Sequence, residues 1–148
     1  MGLFDALDVS GSGLSAERLR MDVTSENLAN AQTTKGADGQ PYRRKQVVLA
    51  EAGSGATFGT VLRSAMAGSS SVVHGVQVAG ITEDQTPLKR IYDPGHPDAD
   101  ADGYVTMPNV NTVTEMTDLI SASRAYEADI TAMQTAKTMF TKTLDILR

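Results

Sequence analysis

The chain has 148 residues, of which 41% are hydrophobic and only 5% aromatic, with no Trp and no Cys. That length suits one ordinary domain, or a modest domain with extensions, and excludes a large two-domain enzyme. A formal net charge of −5 argues against a nucleic-acid partner, and the lack of Cys removes disulfides, thiolate metal sites and Cys nucleophiles.

No stretch reaches the ~20 apolar residues that cross a bilayer, and no basic-then-apolar leader opens the chain, so no Sec-type signal is expected. The first segment, residues 1–34, carries Leu7, Leu14, Met21 and Leu28 on one helical face, with Leu3, Val23 and Ala31 beside it. The stripe is interrupted by Ser10-Gly11-Ser12-Gly13, and each Gly costs roughly 0.8–1 kcal/mol against Ala inside a helix. This helix is expected to be marginal alone and to draw stability from packing on another helix. Asn27 and Asn30 mark its exit, because Asn favours helix ends and turns. Their amides either end the helix or cross-link the chain to neighbouring subunits.

Residues 35–108 differ in composition, holding all five Pro and most of the Gly. Gln46 to Leu49, Val72 to Thr82, Leu88 to Tyr92 and Tyr104 to Met107 read as strands of a small antiparallel unit. Ala52 to Gly59 and Ala67 to Ser71 read as loop. Arg43, Arg44 and Lys45 form the only basic cluster, best explained as a solvated loop.

Asp98, Asp100 and Asp102 followed by Gly103 match the first half of a calcium loop. Asn109 stands where the bidentate Glu belongs, so an acidic turn is the better reading and a calcium-binding secreted interaction module the alternative. His74 and His96 have no partner at zinc spacing, so no metal site is expected. No nucleophile elbow, phosphate loop or converging acid–base set is present. The chain is therefore expected not to be an enzyme and to use no cofactor and no small-molecule substrate.

In the last segment, residues 109–148, Leu119, Tyr126, Met133, Phe140 and Leu147 recur every seven residues, flanked by Met116, Ile130 and Leu144. That is a coiled-coil seam, with Ser123 and Lys137 as its departures. Thr112 with Glu115 reads as a capping box, so the helix should run from about residue 112 to the end, on the order of 50 Å. The fold class is α+β: long N- and C-terminal helices forming a coiled-coil pair, with a small β-rich insert between them. The apolar rows of both helices, with Asn27 and Asn30, are the candidate assembly interface.

Three blocks add a resemblance. ENLANAQTTKG from Glu26 resembles the signature of the flagellar rod and hook axial proteins. PYRR at Pro41, the run from Gly75 to Asn111 with its DPGHPDAD and GYVTMPNVN blocks, and EMTDLISASRAYEADITAMQTAK from Glu115 are similar to the proximal rod branch of that family. The likeness covers nearly the whole chain; Ala50 to Ser71 is its least characteristic part. It implies a structural, torque-transmitting subunit of the flagellar basal-body rod, exported by the flagellar type III apparatus without a cleaved signal. Such a subunit assembles helically in the periplasm with copies of itself and other rod proteins.

Overall fold

The computed structural model describes residues 3–36, 39–53 and 74–146. Helix α1 spans Leu3–Ala29, strands β1 to β4 span Lys45–Glu51, Val76–Glu83, Lys89–Tyr92 and Tyr104–Met107, and helix α2 spans Thr112–Ile146. The chain is thus α+β, with helices at both ends of a strand-bearing middle. Leu147, the last residue of the seam, lies outside the described residues, as do Val72, Val73, the expected loop from Ala67 to Ser71 and most of that from Ala52 to Gly59. Two compact units are drawn from this order: Met1–Arg18, Leu49–Ala79 and Arg124–Arg148 form one, Leu19–Val48 and Gly80–Ser123 the other.

The four strands make two separate two-stranded ribbons, β1–β2 and β3–β4, and not one sheet. Ala52 N donates to Gly75 O at 2.8 Å and Asp84 N to Arg44 O at 2.8 Å, so the start of β1 meets the end of β2 and the pair is antiparallel. The β3–β4 hairpin pairs Lys89 with Met107, Arg90 with Thr106, Ile91 with Val105 and Tyr92 with Tyr104. Tyr92 and Tyr104 meet edge-to-face at 5.3 Å, and the Arg90 guanidinium lies 4.9 Å from the Tyr104 ring centre. The connection between them closes on Gly103, whose φ of +77° suits glycine and whose missing Cβ leaves room for the Tyr92 ring.

Helix α2 starts differently from the expected capping box. Asn111 is the cap: its Oδ1 accepts from Val113 N at 3.1 Å and its carbonyl accepts from Glu115 N at 3.0 Å. The Glu115 carboxylate is used elsewhere, on Asn27 and Arg44. Helix α1 ends by tightening, through Asn30 N to Glu26 O at 3.0 Å and Ala31 N to Leu28 O at 3.3 Å, with Asn30 Nδ2 also donating to Glu26 O at 2.9 Å.

The Ser-Gly-Ser-Gly stretch does not break α1, which is continuous through it. A Cβ on Gly11 would meet Met133 Cε at 3.9 Å, and one on Gly13 would stand 2.7 Å from Asp129 Oδ2. The two glycines therefore let α2 approach, with the later residue of α1 facing the earlier residue of α2, an antiparallel contact. At Gly13 the propensity cost comes with a close approach that a side chain would obstruct, whereas at Gly11 a Cβ would find ordinary contact room. The buried apolar residues among the described ones are few and mostly small: Ala16 and Ala136 in the first unit, Val23, Val105, Pro108, Val110 and Ala122 in the second.

Candidate functional site

In the second unit, three chain segments converge on a buried polar joint. Asn27, 1% exposed, comes from the last turns of α1, and Glu115, also 1% exposed, from the first turn of α2. Tyr42, Arg44 and Lys45 reach them from the start of β1 and the residues before it. The Asn27 Nδ2 donates to Lys45 O at 2.8 Å and to Glu115 Oε2 at 3.0 Å. Its Oδ1 accepts from Lys45 N at 2.9 Å and from the Tyr42 hydroxyl at 2.9 Å. Arg44 Nε donates to Glu115 Oε1 at 2.5 Å, while its Nη2 reaches Asp118 Oδ2 at 3.3 Å.

Every polar atom of the two buried side chains is therefore engaged, which burial in a low-dielectric site requires. An Asn amide suits this place because it offers donors and acceptors at once, pinning a strand's backbone on both its N–H and C=O sides. Burial pushes the Tyr42 hydroxyl up to about 12, helped by the negative charges of Glu26, Glu115 and Glu83. Outside the joint, Asn109 continues the network. Its Oδ1 accepts from Arg44 N at 2.8 Å and its Nδ2 donates to Asp84 O at 3.1 Å and Thr86 Oγ1 at 2.9 Å. Hydrogen bonds from Thr86 hold the Asp84 carboxyl below its ordinary range, with Arg44 and Arg43 adding to the effect.

Of the candidate assembly residues, Asn27 spends its amide within its own chain, and Asn30 caps the end of α1. Leu7, Leu14, Tyr126, Ile130 and Met133 are half-buried in the first unit, and Met21, Leu28 and Leu119 in the second. Met116 is 54% exposed, Phe140 40% and Leu144 51%. Counting from Gly11 opposite Met133, α1 starts at Leu3 level with about Thr141, so Leu144 stands past its described start. Val113 and Ile120, which lie outside the seam expected from the sequence, are 70% and 56% exposed. With Met116 they form an i, i+3, i+7 row on the face of α2 opposite Glu115, Asp118 and Ala122.

The i, i+3, i+7 spacing is legible in the sequence, but the sevenfold repeat includes only Met116 of the three. In sequence Arg44 is a loop cation and Glu115 a capping residue, because nothing along the chain couples positions 71 residues apart. In the acidic turn the carboxylates go to different partners: Asp98 accepts from Thr34 Oγ1 at 2.8 Å, Asp100 pairs with Arg90 at 3.1 Å, and Asp93 accepts from Gly95 N at 3.1 Å. Among the described residues, no three acidic or imidazole groups converge as metal ligands would.

The joint ties together the exit of one terminal helix and the entry of the other, and both ends match known sequence families. "Flagella basal body rod protein" matches residues 7–37 and "Flagellar basal body rod FlgEFG protein C-terminal" matches residues 101–146. The flagellar basal-body rod protein FlgC of Bacillus subtilis is 49% identical over 150 residues, covering 99% of each chain. The chain belongs to the FlgC family of flagellar basal-body rod proteins. FlgC of Borreliella burgdorferi is 45% identical, covering 100% of this chain and 99% of its own. FlgC of Salmonella typhimurium is 45% identical over 99% of this chain and 98% of its own. FlgC proteins are structural components of the flagellar basal-body rod, and this chain is such a subunit, not an enzyme. Its partners are therefore other flagellar components.

Proposed function

We propose that this subunit builds the proximal rod by helical assembly with copies of itself and other rod proteins, and that it carries torque from motor to hook. In this reading residues 1–34 and 109–148 are the assembling ends and 35–108 the insert. The interface draws on Leu7, Leu14, Met21, Leu28, Met116, Leu119, Tyr126, Ile130, Met133, Phe140, Leu144 and Leu147, with Asn27 and Asn30 shaping the helix exit. Delivery through the flagellar type III export apparatus and assembly in the periplasm belong to the same reading.

The observation that supports it most is the row Val113, Met116 and Ile120, over half exposed on two successive turns of one helix face. A row of that size, with so few buried apolar residues among those described, fits burial against another chain. Contacts between unlike surfaces that do not close into a ring generate helical filaments. The test is to express Ile120→Glu in cells lacking their own copy of the subunit, purify basal bodies and measure its incorporation and swimming. Normal rods and motility from Ile120→Glu would remove this row from the interface; a wild-type chain absent from purified rods would sink the whole reading.

A further inference from the structure

Within the first unit, the Ser-Gly-Ser-Gly stretch of α1 carries a second contact besides α2. The Ser12 hydroxyl donates to Val9 O at 2.7 Å and accepts from Val76 N, the first residue of β2, at 3.0 Å. Gly75 precedes it, and a Cβ there would overlap the Ser12 hydroxyl and stand 3.1 Å from Ser12 Cβ and 3.7 Å from Val9 Cα. The strand's backbone thus lies on the helix surface with no space for a side chain between them. Gly75 O at the same time accepts from Ala52 N, which closes that end of the β1–β2 ribbon. Helix, strand start and ribbon end therefore share two adjacent residues.

This contact falls where α1 is intrinsically weakest, since Ser and Gly are poor helix formers. We propose that Ser12 and Gly75 form a latch that makes helical order in the first half of α1 conditional on the seating of the β1–β2 ribbon. The two elements order and disorder together. Any contact that seats or lifts the ribbon then sets the state of the N-terminal helix. The latch does not depend on the rod reading, since it is internal to one chain.

Hydrogen exchange of the full chain, followed by mass spectrometry, separates the latch from local propensity because the two predict opposite signs. Ala is the better helix former, so propensity alone has Ser12→Ala slowing exchange across residues 5–15; the latch has it accelerating there and in β2 together, about three- to tenfold. Gly75→Val should raise exchange in both elements at least tenfold, with the amides near Glu115 unchanged. Gly80→Ala, where a Cβ meets nothing within 4 Å, should match the wild type. Unchanged or slower exchange at residues 5–15 in Ser12→Ala overturns the latch. So does a Gly75→Val chain whose ribbon opens while α1 stays protected, or a wild-type α1 exchanging at the free-chain rate. If Gly75→Val unfolds the chain throughout, Ser12→Ala, which removes one hydroxyl and leaves no overlap, decides alone.

Discussion

Asn27 and Glu115 are buried polar side chains whose value depends on each keeping its partners. Removing one leaves the others desolvated and unpaired, which costs more than the net worth of the bonds themselves. Asn27→Ala and Glu115→Ala are each expected to lower unfolding stability by about 3 kcal/mol. Urea titration checks this, and a cost below about 1 kcal/mol would mean that water replaces the lost partners. Because both side chains serve one network, the double variant should cost clearly less than the sum. Tyr42 adds a pH dependence. Its raised pKa of about 12 means the folded chain holds the phenolic proton more tightly than the unfolded chain does. Its contribution is present in full below about pH 10, the unfolded value, and is lost as pH rises from about 10 to about 12. Urea midpoints over that range should fall more steeply for the wild type than for Tyr42→Phe; parallel curves would count against it.

At the scale of the element, the glycines of α1 are not equivalent. Gly11 has ordinary contact room for a Cβ, with Met133 Cε at 3.9 Å, so Gly11→Ala should gain helix propensity and stabilise by up to about 1 kcal/mol. A Cβ on Gly13 would stand 2.7 Å from Asp129 Oδ2, so Gly13→Val, bulkier and β-branched, should destabilise. Thermal unfolding of the two variants should move in opposite directions. For α2, the cap lies at Asn111 and not at Thr112, so Asn111→Ala should cost about 1 kcal/mol and Thr112→Ala much less. Thr112→Ala matching Asn111→Ala in a melt would restore the capping box read from the sequence.

At the scale of the molecule, few large side chains among the described residues are buried and several stay exposed, among them Val113, Met116, Ile120, Met139 and Leu144. Substituting such positions with charge should leave the isolated chain as stable as the wild type, since surface changes typically stay within about ±0.5 kcal/mol. Association should suffer instead. Met116→Lys is expected to keep the wild-type melting temperature while reducing incorporation into basal bodies, as Ile120→Glu does. A variant that melts early would assign Met116 to the subunit's own core.

Periodicity placed both helices and composition placed the insert between them, because spacing along a chain dictates which residues share a face. The four strand segments were legible for the same reason, apart from their ends. The blocks from Glu26 and Gly75 carried the family likeness, since they are linear patterns. What the tertiary structure alone decided is where single residues spend their bonds. Glu115 looked like a capping residue until Asn27 and Arg44 were seen to meet it. The glycines at 11 and 13 looked like a defect until Met133 and Asp129 were placed against them, and Gly75 had no marked role until Ser12 lay beneath it. Propensity is a sum over neighbours in sequence, whereas burial and close approach depend on residues that only folding brings together.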